Sequence, residues 1–162
     1  MKILSYRSFN SVFISLLLLV IWACSKTEID DERPVITMNE AHHFPHVCDT
    51  IYVGESFVFR ATFADNQELG AYSIDIHHNF DHHSHSTETD DCEMDPKKAP
   101  TDNVWLYIQS YTIPDGLKTY EAEVTIEVPE GVDTGDYHFF LALTDKAGWQ
   151  TIRGVGIKVM ER

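Results

Sequence analysis

From residue 34 to residue 160, apolar residues recur at every second position in short runs, and turn-forming residues break each run. A period of two puts alternate side chains on opposite faces of an extended strand, whereas an amphipathic helix needs a period of 3.6. Residues 56–63 carry the pattern plainly, with Phe57, Phe59, Ala61 and Phe63 on one face. Residues 71–77 repeat it, with Tyr72, Ile74 and Ile76 inward and Asp75 and His77 outward. Further strands are expected at 35–38, 104–113, 119–128, 137–144 and 151–160, and no segment has convincing helical amphipathicity. About seven short strands separated by turns predict an all-β sandwich. A long polar segment, 79–103, follows the strand at 71–77 and is rich in histidine and acids.

Asp133-Thr134-Gly135-Asp136-Tyr137 resembles the D-x-G-x-Y tyrosine corner of immunoglobulin-like domains, where a Tyr hydroxyl bonds back to the backbone at a turn. The resemblance implies an immunoglobulin-like Greek-key sandwich. Antibody domains place a cysteine two residues after that Tyr; here the position is Phe139, so packing must fill the space of the missing inter-sheet bridge.

The first 23 residues are expected to lie outside the fold. Lys2 and Arg7 make a basic start, residues 12–22 are almost continuously apolar, and Ala23 precedes Cys24. The run is short for a bilayer span. Ile21-Trp22-Ala23-Cys24 resembles a bacterial lipobox, although Trp22 is unusual within it. That resemblance implies cleavage before Cys24 and acylation of its sulfur, each buried CH₂ contributing about 0.8 kcal/mol of anchoring. An ordinary secretory signal or an N-terminal membrane helix is the alternative. Residues 24–33 read as an acidic tether and 34–162 as the domain. The acids after Cys24 also resemble, imperfectly, the surface-export signal of Bacteroidetes lipoproteins. The expected location is the outer membrane, on its cell-surface or periplasmic face.

Twenty-six acids against 12 bases give a net charge of −14, which disfavours nucleic acid and anionic lipid and favours cations. With Cys24 acylated, Cys48 and Cys92 remain, and in an oxidising compartment they are expected to pair.

Nine histidines fall into three groups. His42, His43 and His46 precede Cys48; His77, His78, His82, His83 and His85 follow or end the strand at 71–77; His138 begins the strand at 137–144. In an immunoglobulin-like sandwich those two strands are neighbours, and all three groups are expected at one pole. Neutral imidazole suits Zn²⁺ and Cu²⁺. His83 and His85 project to one side of an extended backbone, His77 is a natural third ligand, and Asp81 or His138 a fourth. Zinc takes four ligands at about 2.0–2.1 Å. Asp75 is expected as an orienting carboxylate or a fourth ligand, with His42, His43, His46 and His82 as a secondary set. Inert, solvated histidines or a pH-responsive surface are the alternatives. The acids at Glu88, Asp90, Asp91, Glu93 and Asp95 lack EF-hand spacing and read as solvated, while Asp65 and Asp145 read as turn caps.

The stretch from Ile74 to His85, with I-D-I-H-x-N-F-D-x-H-x-H as its pattern, resembles the signature of an uncharacterised family of Bacteroidetes lipoproteins carrying a domain of unknown function. The likeness extends over about 34–160 and maps its motif onto His77, Asp81, His83 and His85. It implies a surface or periplasmic location and an immunoglobulin-like fold, and names no activity.

The leading expectation is a binding module that captures Zn²⁺ or Cu²⁺ and buffers it or passes it to an outer-membrane receptor. An adhesin-like or glycan-contacting module using Trp105, Tyr107, Tyr111, Tyr120 and Trp149 is the alternative. An enzyme is not expected. The chain lacks the ordered histidine spacing of Cu,Zn superoxide dismutases and has no G-x-S-x-G.

Overall fold

A computed structural model describes residues 29–84 and 92–162. The proposed signal at 1–23, the lipobox with Cys24, the first half of the tether (24–28) and His85 lie outside the described residues, as do Glu88, Asp90 and Asp91. Eight strands form two sheets: β1 (Val35–Thr37), β2 (Thr50–Tyr52), β3 (Ser56–Ala64), β4 (Leu69–His78), β5 (Tyr107–Thr112), β6 (Thr119–Glu127), β7 (Gly135–Asp145) and β8 (Gln150–Met160). One sheet has the order β1-β3-β6 and the other β2-β8-β7-β4-β5. No helix occurs among the described residues.

Alternation drives this arrangement. In β3, Phe59, Ala61 and Phe63 are buried; in β4, Tyr72, Ile74 and Ile76; in β7, Tyr137, Phe139, Leu141 and Leu143. These faces meet between the sheets and form one core. Phe139 has no exposed surface and stacks on Phe59 of the opposite sheet at 5.5 Å between ring centroids. Two aromatic rings thus fill the gap that a cystine bridges in antibody domains. The tyrosine corner is formed: the Tyr137 hydroxyl donates to the Asp133 carbonyl at 2.7 Å and accepts from the Trp105 N–H at 3.3 Å.

Two details depart from expectation. β2 escapes a sequence pattern because three residues are too few to show alternation; it pairs in parallel with β8, and its Ile51 is buried. The strand expected at 104–113 begins only at Tyr107, because Trp105 is drawn into the core beside Tyr137 and leaves the ladder.

β4 and β7 run antiparallel. Leu69 faces Asp145 at one end of the pair, and His77 faces His138 near the other. That register sets the two poles of the molecule.

Candidate metal centre

His77 and His138 are cross-strand partners on the outer face of the second sheet, because Ile76 and Phe139 point into the core. An outward residue on an open sheet meets water. His138 is instead 1% exposed, because the chain leaving β4 folds back over it. That turn is built by one bond across to β7 and one within the turn: the Asn79 N–H donates to the Asp136 carbonyl at 2.8 Å and the His82 N–H to the Asn79 carbonyl at 3.1 Å. Phe80 anchors it, buried edge-to-face against Tyr137 at 5.4 Å and under the Lys98 ammonium at 4.4 Å. Gly135 makes room, since its backbone has φ +128° and a Cβ there would meet the Phe80 ring at 3.1 Å. The outcome brings His83 over β7.

The side-chain ligand atoms of His77, His83 and His138 all lie within 4.8 Å of one another. Ring centroids stand 5.5 Å apart for His77 and His83, 4.9 Å for His83 and His138, and 5.4 Å for His77 and His138. Each ring has an orienting contact. Asp75 Oδ1 lies 2.8 Å from His77 Nδ1, and Asp81 Oδ1 lies 2.6 Å from His83 Nδ1. An Nδ1–H donated to a carboxylate puts the ring's lone pair on Nε2, the tautomer that binds metal. His138 Nε2 lies 3.2 Å from the His83 carbonyl, so donation there puts its lone pair on Nδ1. The hydrogen bond from His83 holds the Asp81 carboxyl below the usual carboxylate range. A tetrahedral ion with bonds of 2.0–2.1 Å needs nitrogens about 3.3 Å apart, so rings with ligand atoms within 4.8 Å of one another would have to close inward to hold one.

Three residues that support this cluster had no metal-ligand signature. Phe140, two residues after His138, stacks under His77 at 5.6 Å. Gly154 lets it lie flat, since a Cβ there would meet the Phe140 ring at 2.4 Å. Gly156 faces His138 across β7 and β8 and lies beside the disulfide, a Cβ there meeting Cys92 Sγ at 3.6 Å. The signal for Phe140 was present in the alternation, which puts it on the same face as His138.

Cys48 and Cys92 form a disulfide. The Gly156 carbonyl accepts from the Cys48 N–H at 2.8 Å, so the bridge fastens the far side of the histidine-rich segment to β8. Asp136 and Lys158 pair at 2.5 Å, and Asp95 joins them through Lys158 at 3.0 Å. Burial lowers the Lys158 ammonium, but these two carboxylates prevail and raise it overall.

The convergence of all three histidine groups is corrected in one respect. Phe44 pairs with Arg60 of β3 through both backbone hydrogen bonds, which carries the preceding residues along the first sheet. His43 therefore lies 2.9 Å from Thr62 Oγ1, and His42 lies between Glu40 and Glu121. His46 meets the Glu40 carbonyl at 3.1 Å and Asp49 at 3.5 Å. Glu40, His42 and His43 make a separate group. His82 stays near the cluster but its ring meets the Asp95 carbonyl at 2.9 Å. Of the aromatics open to glycan contact, Trp105 is buried, Tyr107, Tyr111 and Tyr120 pack against the core, and Trp149 is 39% exposed.

Comparison with known proteins adds a family. The domain described as Domain of unknown function (DUF4625) matches residues 22–160. No curated protein matches the chain. Among solved structures, the sporulation control protein Spo0M from Bacillus subtilis is similar, with a TM-score of 0.39 and 9% identity over 80% of this chain. The chain spans about half the length of that protein, 49% of it.

Proposed function

Since the chain belongs to the DUF4625 family, whose description states no activity, we propose a function from the site's own chemistry: a lipid-anchored exported domain that captures Zn²⁺ or Cu²⁺. His77, His83 and His138 are the ligands, and Asp75 and Asp81 orient two of them. The observation that carries this reading is the meeting of three imidazoles within 4.8 Å, two of them held by carboxylates in the ligand tautomer. Solvated surface histidines have no reason to be backed by paired carboxylates or to be roofed over as His138 is. The donor set is nitrogen-rich, which selects zinc or copper over calcium or magnesium.

Three protein ligands leave a fourth position for water or for His85, two residues beyond His83. An exchangeable fourth position suits a site that takes up an ion and gives it away. Acylation at Cys24 would hold the domain at the outer membrane of a Bacteroidetes cell, where it buffers the metal or passes it to an outer-membrane receptor. The acidic surface favours cation encounter and disfavours nucleic acid.

Isothermal titration of the metal-stripped mature chain with Zn²⁺, Cu²⁺ and Ni²⁺ tests the reading. One site per chain is expected, lost in His83→Ala. Absence of heat with all three ions up to millimolar concentration would sink it. Titrating His85→Ala separates the two candidates for the fourth position: weaker zinc binding assigns it to His85, unchanged binding to water.

A further inference from the structure

At the opposite pole, Leu69 pairs with Asp145, the last residue of β7. The ten residues of β4 put roughly 30 Å between this end and the histidine cluster. Three carboxylates meet here: Asp30, ahead of β1, Asp65, in the turn between β3 and β4, and Asp145 offer oxygens all within 4.8 Å of one another. All three already accept local backbone N–H groups with one oxygen, Asp30 Oδ1 from Glu32 at 3.3 Å. Asp65 Oδ1 accepts from the Gln67 and Glu68 N–H groups at 2.8 and 2.7 Å. Asp145 Oδ1 accepts from Gly148 and Trp149 at 2.6 and 2.8 Å. Turn capping accounts for those oxygens and leaves the others unexplained. Asp65 Oδ2 and Asp145 Oδ2 are buried with no hydrogen-bond partner among the described residues, and Asp145 as a residue is only 4% exposed.

Buried carboxylate oxygens without a donor are unfavourable, and like charges at this spacing repel. The neighbouring side-chain cations are engaged elsewhere: Lys146 with Asp115 at 2.5 Å and Arg33 with the Gln150 carbonyl at 3.2 Å. We propose that Asp30, Asp65 and Asp145 bind a hard divalent cation, calcium by their all-oxygen donor set. Calcium bonds of 2.3–2.6 Å span oxygens up to about 5 Å apart across the ion, which covers oxygens within 4.8 Å of one another, and calcium accepts irregular sets of carboxylate oxygens where magnesium demands a near-ideal octahedron.

The ion has a structural consequence. Asp30 belongs to the segment leading into β1, and that segment already lies against the β7–β8 turn. Its Asp30 carbonyl accepts from Trp149 Nε1 at 2.9 Å, and the Arg33 guanidinium sits over the Trp149 ring at 5.8 Å. Calcium shared between Asp30 and the two turn residues clips this segment to the sandwich and sets how the domain stands on its N-terminal connection.

Terbium, a luminescent calcium surrogate, tests the site on the chelator-treated mature chain. Trp149 lies close enough to sensitise its emission. The expected result is saturable emission that Ca²⁺ displaces and Zn²⁺ does not, weakened about tenfold or more in affinity in Asp30→Asn and in Asp145→Asn, which keeps the Oδ1 turn acceptor. Because Asp145→Asn puts an amide in a buried position, thermal melting with and without Ca²⁺ provides a second reading. The melting temperature should rise with Ca²⁺ in the native chain and not in Asp30→Asn. Equal terbium affinity in the native chain and Asp30→Asn, or melting indifferent to Ca²⁺, overturns the proposal and leaves a shared proton as the neutralising group.

Discussion

In the proposed metal site, individual side chains divide into the imidazoles offered as ligands and the carboxylates that aim them. Asp81 lies 2.6 Å from His83 and is itself solvent-exposed, so its replacement perturbs the fold little. Asp81→Asn is expected to weaken zinc affinity about 10–100-fold, the range for removing a carboxylate behind a metal-bound histidine, with the melting temperature of the metal-free chain unchanged. Competition against a chromogenic chelator measures it. His43, in the separate group, makes a pH prediction. Burial, and then the neighbouring His42, lowers its pKa below the ordinary histidine value of 6.5. The unfolded chain therefore binds that proton more readily than the folded one, so His43 subtracts stability as pH falls below 6.5 and has no effect well above it. His43→Gln, which retains a polar partner for Thr62, should narrow the difference in melting temperature between pH 7.5 and pH 5.5. An unchanged gap would assign the acid sensitivity elsewhere.

Among the elements, β4, β7 and the segment between β4 and β5 build the cluster together. The two strands were readable because alternation over eight or more residues is a strong signal, and the tyrosine corner named the end at which β7 begins. The covering of His138 was not readable. It depends on Phe80 reaching Tyr137 and on Gly135 leaving space for it, contacts between residues far apart in the chain. The disulfide belongs to this scale. It closes a separation of 44 residues, and chain entropy alone gives such a bridge about 4 kcal/mol. Cys92→Ser should lower the unfolding free energy measured by urea titration by that order and, by releasing the far side of the histidine segment, weaken zinc binding as well. Intact zinc affinity in a destabilised variant would mean that Phe80 alone positions His83.

Taken as a whole molecule, two poles differ in donor chemistry, nitrogen at one and oxygen at the other, with the hydrophobic core between them. The N-terminal connection leaves from the carboxylate pole, because Asp30 and Pro34 lie against the β7–β8 turn. The histidine pole lies at the other end of the β4–β7 pair from Asp30. Cys24→Ser is expected to move the protein from the membrane to the soluble fraction on cell fractionation while leaving zinc affinity of the purified chain unaltered. A membrane-retained variant would point instead to an uncleaved N-terminal helix.

By itself the sequence determined the strands other than β2 and the start of β5, the tyrosine corner, the cysteine pair and the neighbourhood of His77 and His138, since each follows from local period or from motif. Tertiary structure alone decided that His42 and His43 lie against the other sheet, that Phe140 and two glycines support the cluster, and that Asp30 joins Asp65 and Asp145. The reason is physical: alternation tells which face a side chain takes, but how a connection between strands runs depends on which distant rings and backbone groups it packs against.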